Sequence, residues 1–309
     1  MAKLSAYKPL EKDMKLITKL TPSVLAASIV GCLITTGLHA HTTIVHTEDM
    51  ALERARDVEM ALIFTHATDG GPTMPLALES FNQYSGRFLN ETDLMDTLEP
   101  MQWLNRVDEN GSEVRVNAFK ANIERDRIRS IGDHQLVAIT EPYFDENDGL
   151  YIQQFVKVIM NVSGGQTNWF SSVGLPTEIQ ALKTPYANWV GETFSGIVYS
   201  EGRPVPFARL EIDYLNYAPD MENQQFADEP FIAASHPSYK YISIMANENG
   251  EFHFGIPAAG WWAIAALGTG PEVSLNDEYL SQDAILWIYA ENVPLTEAGK
   301  ALNGIEDNN

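Results

Sequence analysis

This 309-residue chain predicts an all-β fold of two β-sandwich domains behind a secretory leader. Three observations carry the prediction. Short runs of apolar, β-branched or alternating residues recur along the chain. Turns rich in Gly, Pro and Asn separate them, and scarcely any stretch has a helical period. Hydrophobic residues make up 45% and charged residues 20%, which supplies a core and excludes a disordered or acidic-tail protein.

The leader is read first. Lys3, Lys8, Lys12, Lys15 and Lys19 precede an apolar stretch, VLAASIVGCLITTGLHA, that ends at Ala40. A basic region, an apolar region and a small residue before the cut describe a secretory signal peptide over 1–40. Met14 offers an alternative start. Leu20–Ala40 is also about long enough for a single membrane anchor. Ile29-Val30-Gly31 before Cys32 gives a lipoprotein reading, which the continuing apolar run weakens. Cleavage after Ala40 is the expectation, with export to the periplasm and no stable membrane span afterwards. The mature chain then has 269 residues: five Lys, Glu11 and Asp13 leave, so 15 basic and 40 acidic residues remain, net -25. It has no cysteine, which excludes disulfides, thiolate metal sites and cysteine nucleophiles.

The elements of the mature chain follow in order. His41 opens a short extended start. VEMALIFTH at Val58–His66 reads as a strand, closed by the turn Asp69-Gly70-Gly71-Pro72. Leu94–Leu104 is a strand or short helix, and Val114–Ala121 is a strand paired with it. HQLVAITE at His134–Glu141 and QQFVKVIMNV at Gln153–Val162 are two more strands. Gly165–Tyr186 reads as a connection anchored by Trp169 and Phe170. The domains are therefore 41–185, including this connection, and 186–309. In the second, TFSGIVYS at Thr193–Ser200 and ARLEIDYLNY at Ala208–Tyr217 alternate well. Ala218–Ser238 is a long loop. Tyr239–Met245 and Glu251–Ile256 flank a hairpin turn at Asn247–Gly250. WWAIAAL at Trp261–Leu267 and AILWIY at Ala284–Tyr289 complete the set.

Charge narrows the function classes. Asp+Glu 42 against Lys+Arg 20 makes nucleic acid a poor partner, because binding phosphates requires compensating positive charge. A small cation is compatible with this balance. No GxSxG elbow, GxGxxG, GxxxxGK[ST] or HExxH is present, so no short motif establishes catalysis, a nucleotide or a metalloprotease site.

The six mature histidines are His41, His46, His66, His134, His236 and His253. Imidazole suits Zn, Cu, Ni and Co. His41 would become the first residue after cleavage, and could then chelate one ion through its α-amine and ring Nδ1. The alternative is that it merely adjoins the cut. His66 ends a strand beside a turn, where sites usually sit, and a structural histidine is its alternative. Met74 follows closely and could offer a thioether, or simply pack. In an extended segment His46 lies on the face opposite His41. His253 alternates with Phe252 and Phe254 and so faces away from the core. The aromatics Trp169, Trp189, Tyr214, Tyr217, Phe252, Trp261 and Trp262 are core residues or, failing that, the lining of a groove.

Several segments resemble one family. LIFTHATDGGPTM at Leu62–Met74, EPYF at Glu141–Phe144, YIQQFVKVIMN at Tyr151–Asn161 and GLPTEIQAL at Gly174–Leu182 are four of them. GETFSGIVYSEGRPVPFARLEIDYLN at Gly191–Asn216 and NENGEFHFGIPAAGWWAIAAL at Asn247–Leu267 extend the likeness over most of the mature chain. Together these resemble the DUF4198 family of secreted proteins, described as NikM-like periplasmic components of cobalt/nickel uptake. The resemblance implies a β-rich periplasmic protein handling Ni or Co, with a second half, the second β-sandwich domain, like transthyretin or carboxypeptidase-regulatory domains; Cu or Zn would suit the same imidazoles. It points to His41, His66 and Met74 as metal-site residues. Ala67 stands after His66 where the family usually has Pro.

Three function classes follow. The first binds a divalent transition metal and presents it to an inner-membrane transporter by ligand exchange. The second is a non-catalytic β-sandwich scaffold or protein-interaction module. The third is an oxidative copper enzyme using an N-terminal histidine with a second histidine. Nothing in the sequence fixes an oligomeric state.

Overall fold

A computed structural model describes residues 41–107, 110–146 and 149–302. The expected leader over residues 1–40, with Met14 and Cys32, lies outside the described residues. Among those residues almost everything ordered is β-strand, with one short helix at Glu297–Leu302. They belong to one compact unit.

One sheet is antiparallel and runs Thr42–His46, Val58–Thr65, Glu113–Ile123, Leu98–Val107. The short strand Thr73–Met74 continues beside Val58–Thr65 where Glu113–Ile123 leaves off. A second, larger sheet runs Ile242–Met245, Arg209–Tyr214, Gly260–Ala266, Glu278–Glu291, Leu150–Val162, Gly132–Thr140, Leu78–Ser85, Asn90–Asp93. A third pairs Thr193–Ser200 with Thr177–Ala181 and with Glu251–Gly255.

Burial explains which strands alternate. Phe194, Gly196 and Val198 point inward with more exposed residues between them, as on a half-solvated sheet. Glu278–Glu291 is flanked on both sides, antiparallel by Gly260–Ala266 and parallel by Leu150–Val162. Its middle is buried on both faces, and so AILWIY and WWAIAAL read as continuous apolar runs. The parallel pairing of Tyr151–Val158 with Leu280–Trp287 joins segments on either side of residue 185.

Several expected strands match closely, including Thr193–Ser200 and Val58–Thr65. Leu94–Leu104 holds both expected forms, a 3-10 turn at Met95–Thr97 and then a strand from Leu98. The Asn247–Gly250 turn does not close a hairpin. Ile242–Met245 pairs with Arg209–Tyr214 in the large sheet, whereas Glu251–Gly255 pairs with Thr193–Ser200 in another. The turn has local bonds, Gly250 N–H to Asn247 O and Asn247 N–H to Glu251 O, but it carries the chain between sheets. The connecting segment contains a strand, Thr177–Ala181.

Two buried carboxylates, Glu178 and Asp133, hold the large sheet to its surroundings. Lys157 Nζ donates to Glu178 Oε1 at 2.6 Å, with both side chains 2% exposed. Glu178 also accepts from Ser172 Oγ and from the backbone N–H groups of Val173 and Gly174. Asp133 accepts from the N–H groups of Thr167, Asn168 and Trp169 and from Asn161 Nδ2. This fixes the start of the connecting segment.

Candidate metal centre at the first strand

The site is built on TTIVH, a β-branched run suited to a strand. Thr42–Val45 are buried, and the strand pairs antiparallel with Val58–Thr65, placing Thr42 opposite Thr65. One residue beyond that register, His41 meets His66. Their ring centroids are 3.9 Å apart, with the planes inclined by 36°. Phe64 lies 5.5 Å from the His41 ring, and Tyr143 packs edge-on against Phe64. Both histidines are half-buried.

Two sets of bonds hold this pair. On the His66 side, the N–H groups of Asp69 and Gly70 donate to His66 O. Gly70 has φ +66°, and a Cβ there would lie 2.8 Å from Tyr217 Cδ2. A side chain is thus excluded by both conformation and space. Asp69 accepts from Lys240 Nζ and from the Tyr241 hydroxyl. Thr68 Oγ1 donates to Tyr214 O, and Asn216 Nδ2 donates to Thr68 O. On the His41 side, Gln154 acts as a bracket. Its Oε1 accepts from Thr43 N–H and Thr43 Oγ1, and its Nε2 donates to His41 O. Trp287 Nε1 donates to Thr43 O, and Thr42 Oγ1 donates to Asp213 Oδ2 at 3.0 Å. The start of the first strand, which pairs within its own sheet, is therefore also fixed to the large sheet through Gln154, Asp213 and Trp287.

Burial lowers the pKa of His41, and the charge of Asp145 opposes that shift without cancelling it. Burial thus favours the neutral ring, the form that ligates metals. Asp69 also falls below its ordinary range. Burial acts against that fall, and the Lys240 and Tyr241 hydrogen bonds, with the charges of Lys240 and His66, outweigh it.

Met74 lies opposite Phe64 on the neighbouring strand and is partly buried against the core. His41 and His66 are one pleat further along the same face. The other histidines stand apart from the pair. His46 packs against Trp261 with ring centroids 5.2 Å apart and planes inclined by 54°, and burial lowers its pKa to about 4. His134 is fully buried, with Nε2 within 2.9 Å of Ser130 O. His236 Nδ1 caps a 3-10 turn by accepting from Ser238 N–H. His253 is exposed, 2.8 Å from Ser195 Oγ.

Sequence reasoning missed Gln154 and Asp145. Glutamine in a strand carries no spacing signal, and Asp145 approaches only because EPYF folds back on Leu150–Ile152. Among the described residues no group of three or more His, Cys, Asp or Glu is placed to hold a metal ion. The side chains thus offer two imidazoles, a donor set that fits a transition ion but leaves coordination positions for other ligands.

Fold and geometry define a class: an all-β protein whose first described strand begins at a bracketed pair of imidazoles. Residues 38–270 match the model of a family described as a domain of unknown function, DUF4198, and the chain belongs to that family. No curated protein sequence matches it. Among solved structures it is similar to the D0-D1 domain of intimin, at 12% identity and TM-score 0.20, covering 81% of this chain and 100% of that one. The Yersinia pseudotuberculosis adhesin InvE gives 10% and 0.21, over 79% and 58% of the two chains. The two tandem V-type regions of VCBP3, a chitin-binding protein, give 12% and 0.22, over 79% and 98%. At these scores nothing is transferred from them. No described helix is long and apolar enough to cross a membrane.

Proposed function

We propose that the chain is a non-catalytic β-sandwich protein of the periplasm that binds one divalent transition ion at His41 and His66. The observation that supports this is the 3.9 Å approach of the two rings. Cleavage after Ala40 would add the His41 α-amine as a third nitrogen beside them. Met74, opposite Phe64 on the neighbouring strand, is the thioether candidate. Ni or Co is the cargo favoured by family resemblance, with Cu or Zn as alternatives that imidazole also accepts. Delivery to an inner-membrane transporter by ligand exchange completes the reading. The division into sandwiches of 41–185 and 186–309, the second transthyretin-like, belongs to the same proposal, and the two would share the large sheet.

A second reading is a scaffold or interaction module without metal. It is favoured by the lack, among the described residues, of a third His, Cys, Asp or Glu grouped with the pair. The experiment uses protein exported by its own leader. Intact mass fixes the N-terminus, and calorimetric titration with Ni, Co, Cu and Zn follows. The metal reading expects a mass beginning at His41, a 1:1 site, its loss in His41→Ala and a weakened site in His66→Ala. Correctly processed protein that takes up no ion moves the assignment to the scaffold.

A further inference from the structure

At the end nearest His41, one face of the large sheet is only partly covered by the described residues. Gln154, Trp287 and Asp213 all turn to the first strand and mark the face on which it packs. Side chains two apart in a strand share a face. From Gln154 that face runs back through Ile152 to Leu150, and from Trp287 back through Asp283 and Ser281 to Tyr279. Leu150 lies about 13 Å before Gln154, where the first strand is gripped, at about 3.3 Å per residue.

Two short strands widen this end into a four-stranded tip. Tyr143–Asp145 pairs with Leu150–Ile152, and Val273–Leu275 pairs with Glu278–Leu280. The parallel pairing of Tyr151 with Leu280 joins the two halves. Tyr143 stands opposite Ile152 and packs edge-on against Phe64, whose ring is 5.5 Å from His41, so the tip adjoins the histidine pair. Further along the same strands Val158 and Trp287 are fully buried. At the tip Tyr143, Leu150 and Ile152 are only half-buried, and Tyr279 is 43% exposed.

The charge around this apolar face has one sign. Residues 130–156 and 241–299 contain no Lys or Arg. Glu146, Asp277 and Glu278 are exposed at the tip, and Asp145 is close enough for its charge to act on the His41 ring. An apolar, aromatic centre inside a polar rim is the anatomy of a protein interface, and tyrosine is among the residues that carry binding energy there. A rim of carboxylates selects a cationic partner. It repels a second copy of a chain whose net charge is -22.

We propose that this face, centred on Ile152 and Tyr279 beside the His41–His66 pair, docks a segment of a partner protein that presents Lys or Arg around an aliphatic or aromatic residue. The inference deepens the metal reading and rests on it for what the contact would carry. An ion held by two imidazoles keeps positions open to a ligand from a partner seated alongside. The carboxylate rim would steer such a partner to it.

The test uses the processed full chain and a defined probe, the end-blocked peptide KIKYKIK, with EIEYEIE as its anionic counterpart. Calorimetry is run at about 0.1 M salt, where charges more than about 10 Å away are screened. The expected result is saturable 1:1 binding of KIKYKIK and none of EIEYEIE. The exposed rim variant Glu146→Gln/Asp277→Asn/Glu278→Gln and, separately, Tyr279→Ala should each weaken it about tenfold. The same charge change elsewhere, Glu53→Gln/Glu222→Gln/Glu248→Gln, should leave it within about twofold. Titration of the same proteins with Ni, Co, Cu and Zn separates the two readings. A rim variant that keeps wild-type metal uptake and loses the peptide supports the docking face. Wild type that binds the peptide but no ion also supports the face, and overturns the metal reading alone. No saturable peptide binding, equal binding of EIEYEIE, or equal weakening by the remote charge variant would overturn the proposal. So would sedimentation of a dimer that Tyr279→Ala dissolves, because the face would then belong to a second copy.

Discussion

Replacing Glu178 with Gln tests the most deeply buried ion pair. The change keeps the shape and an acceptor for the Val173 and Gly174 N–H groups, and removes the charge opposite Lys157. Lys157, 2% exposed, is then a buried ammonium without a counter-ion. Breaking a buried pair from one side costs about 3–5 kcal/mol. The lysine has an escape, because it can give up its proton. At pH 7 that costs about 1.36 kcal/mol for each unit below an ordinary pKa near 10.4, or about 4.6 kcal/mol. The penalty is capped there, and at pH 9 the cap falls to about 1.9 kcal/mol. Glu178 itself adds no slope in this range. Burial would raise its pKa, but the charge and hydrogen bond of Lys157, with bonds from Ser172 and Val173, hold it below the ordinary value. A depressed carboxylate contributes stability above its unfolded pKa near 4.5 and loses it only as pH falls through the folded value. Urea unfolding at pH 7 and pH 9, with unchanged m, measures both points. The expected loss is about 3–4.6 kcal/mol at pH 7, shrinking to about 2 at pH 9. A loss under about 1 kcal/mol, the value of a surface pair, or one that does not shrink, would refute the argument.

Further outcomes follow from other buried groups. Burial raises the pKa of Asp213 to about 7, opposed by the Thr42 hydrogen bond and assisted by the charges of Glu211 and Asp69. The native state therefore keeps a proton that the unfolded chain releases above its ordinary 3.8, and stability falls as pH rises from there to about 7. Asp213→Asn should remove that fall, so its urea midpoint gains on the wild type between pH 4 and pH 8. His46, lowered to about 4 from 6.5 by burial, has the opposite sign: stability falls as pH drops through that window, and His46→Phe should flatten the acid side. Gly70→Ala should cost about 1–2 kcal/mol or more in the same assay, from the left-handed backbone alone before the contact with Tyr217 is counted. Gln154→Leu should speed hydrogen exchange at the Thr43 amide, whose acceptor is the Gln154 side chain, while amides within Val58–Thr65 stay protected. Unchanged exchange at Thr43 would show that the strand is held without that bracket.

The sequence was readable where one strand's chemistry is local. Alternation located Thr193–Ser200 and the inward pair Phe252 and Phe254, because half-buried strands write their exposure into every second residue. It also placed His253 outward and His46 away from His41. Partner choice was not readable. Asn247-Glu248-Asn249-Gly250 has the composition of a hairpin turn, yet its two strands enter different sheets, which only distant partners at Arg209–Tyr214 and Thr193–Ser200 decide. Leu78–Ser85 was missed because LESFNQYS is polar for a strand. Its Phe81 and Gln83 are buried, but Gln83 is accommodated by donating to Arg127 O, a bond that no periodicity reveals. His41 and His66 were singled out by position, whereas the bracket that fixes them comes from residues 154 and 240, far away in the chain.

Most of the segments that carry the family likeness are accounted for by architecture. Lys157 of FVKV and Glu178 of PTEI form the buried ion pair, and Asn161 of IMN binds Asp133. Gly70 of DGG is demanded by the approach of Tyr217, and Trp262 of GWW donates to Ala258 O. Such residues explain why a chain would keep these words without any shared chemistry. Gln154 is different in kind. It satisfies one buried donor pair on Thr43 and also takes hold of the His41 carbonyl, so the same side chain that closes the core sets the position of the first ring. At the chain end that the proposed cleavage would create, an imidazole would otherwise sample many rotamers, and ordering it on ligand binding would cost affinity. Here that ordering is built into the fold, through Gln154 on one side and the Asp69–Lys240 contact behind His66 on the other. That distinction, between residues that only hold the sheets and residues that also aim the two rings, is what raises His41 and His66 above the other histidines of the chain.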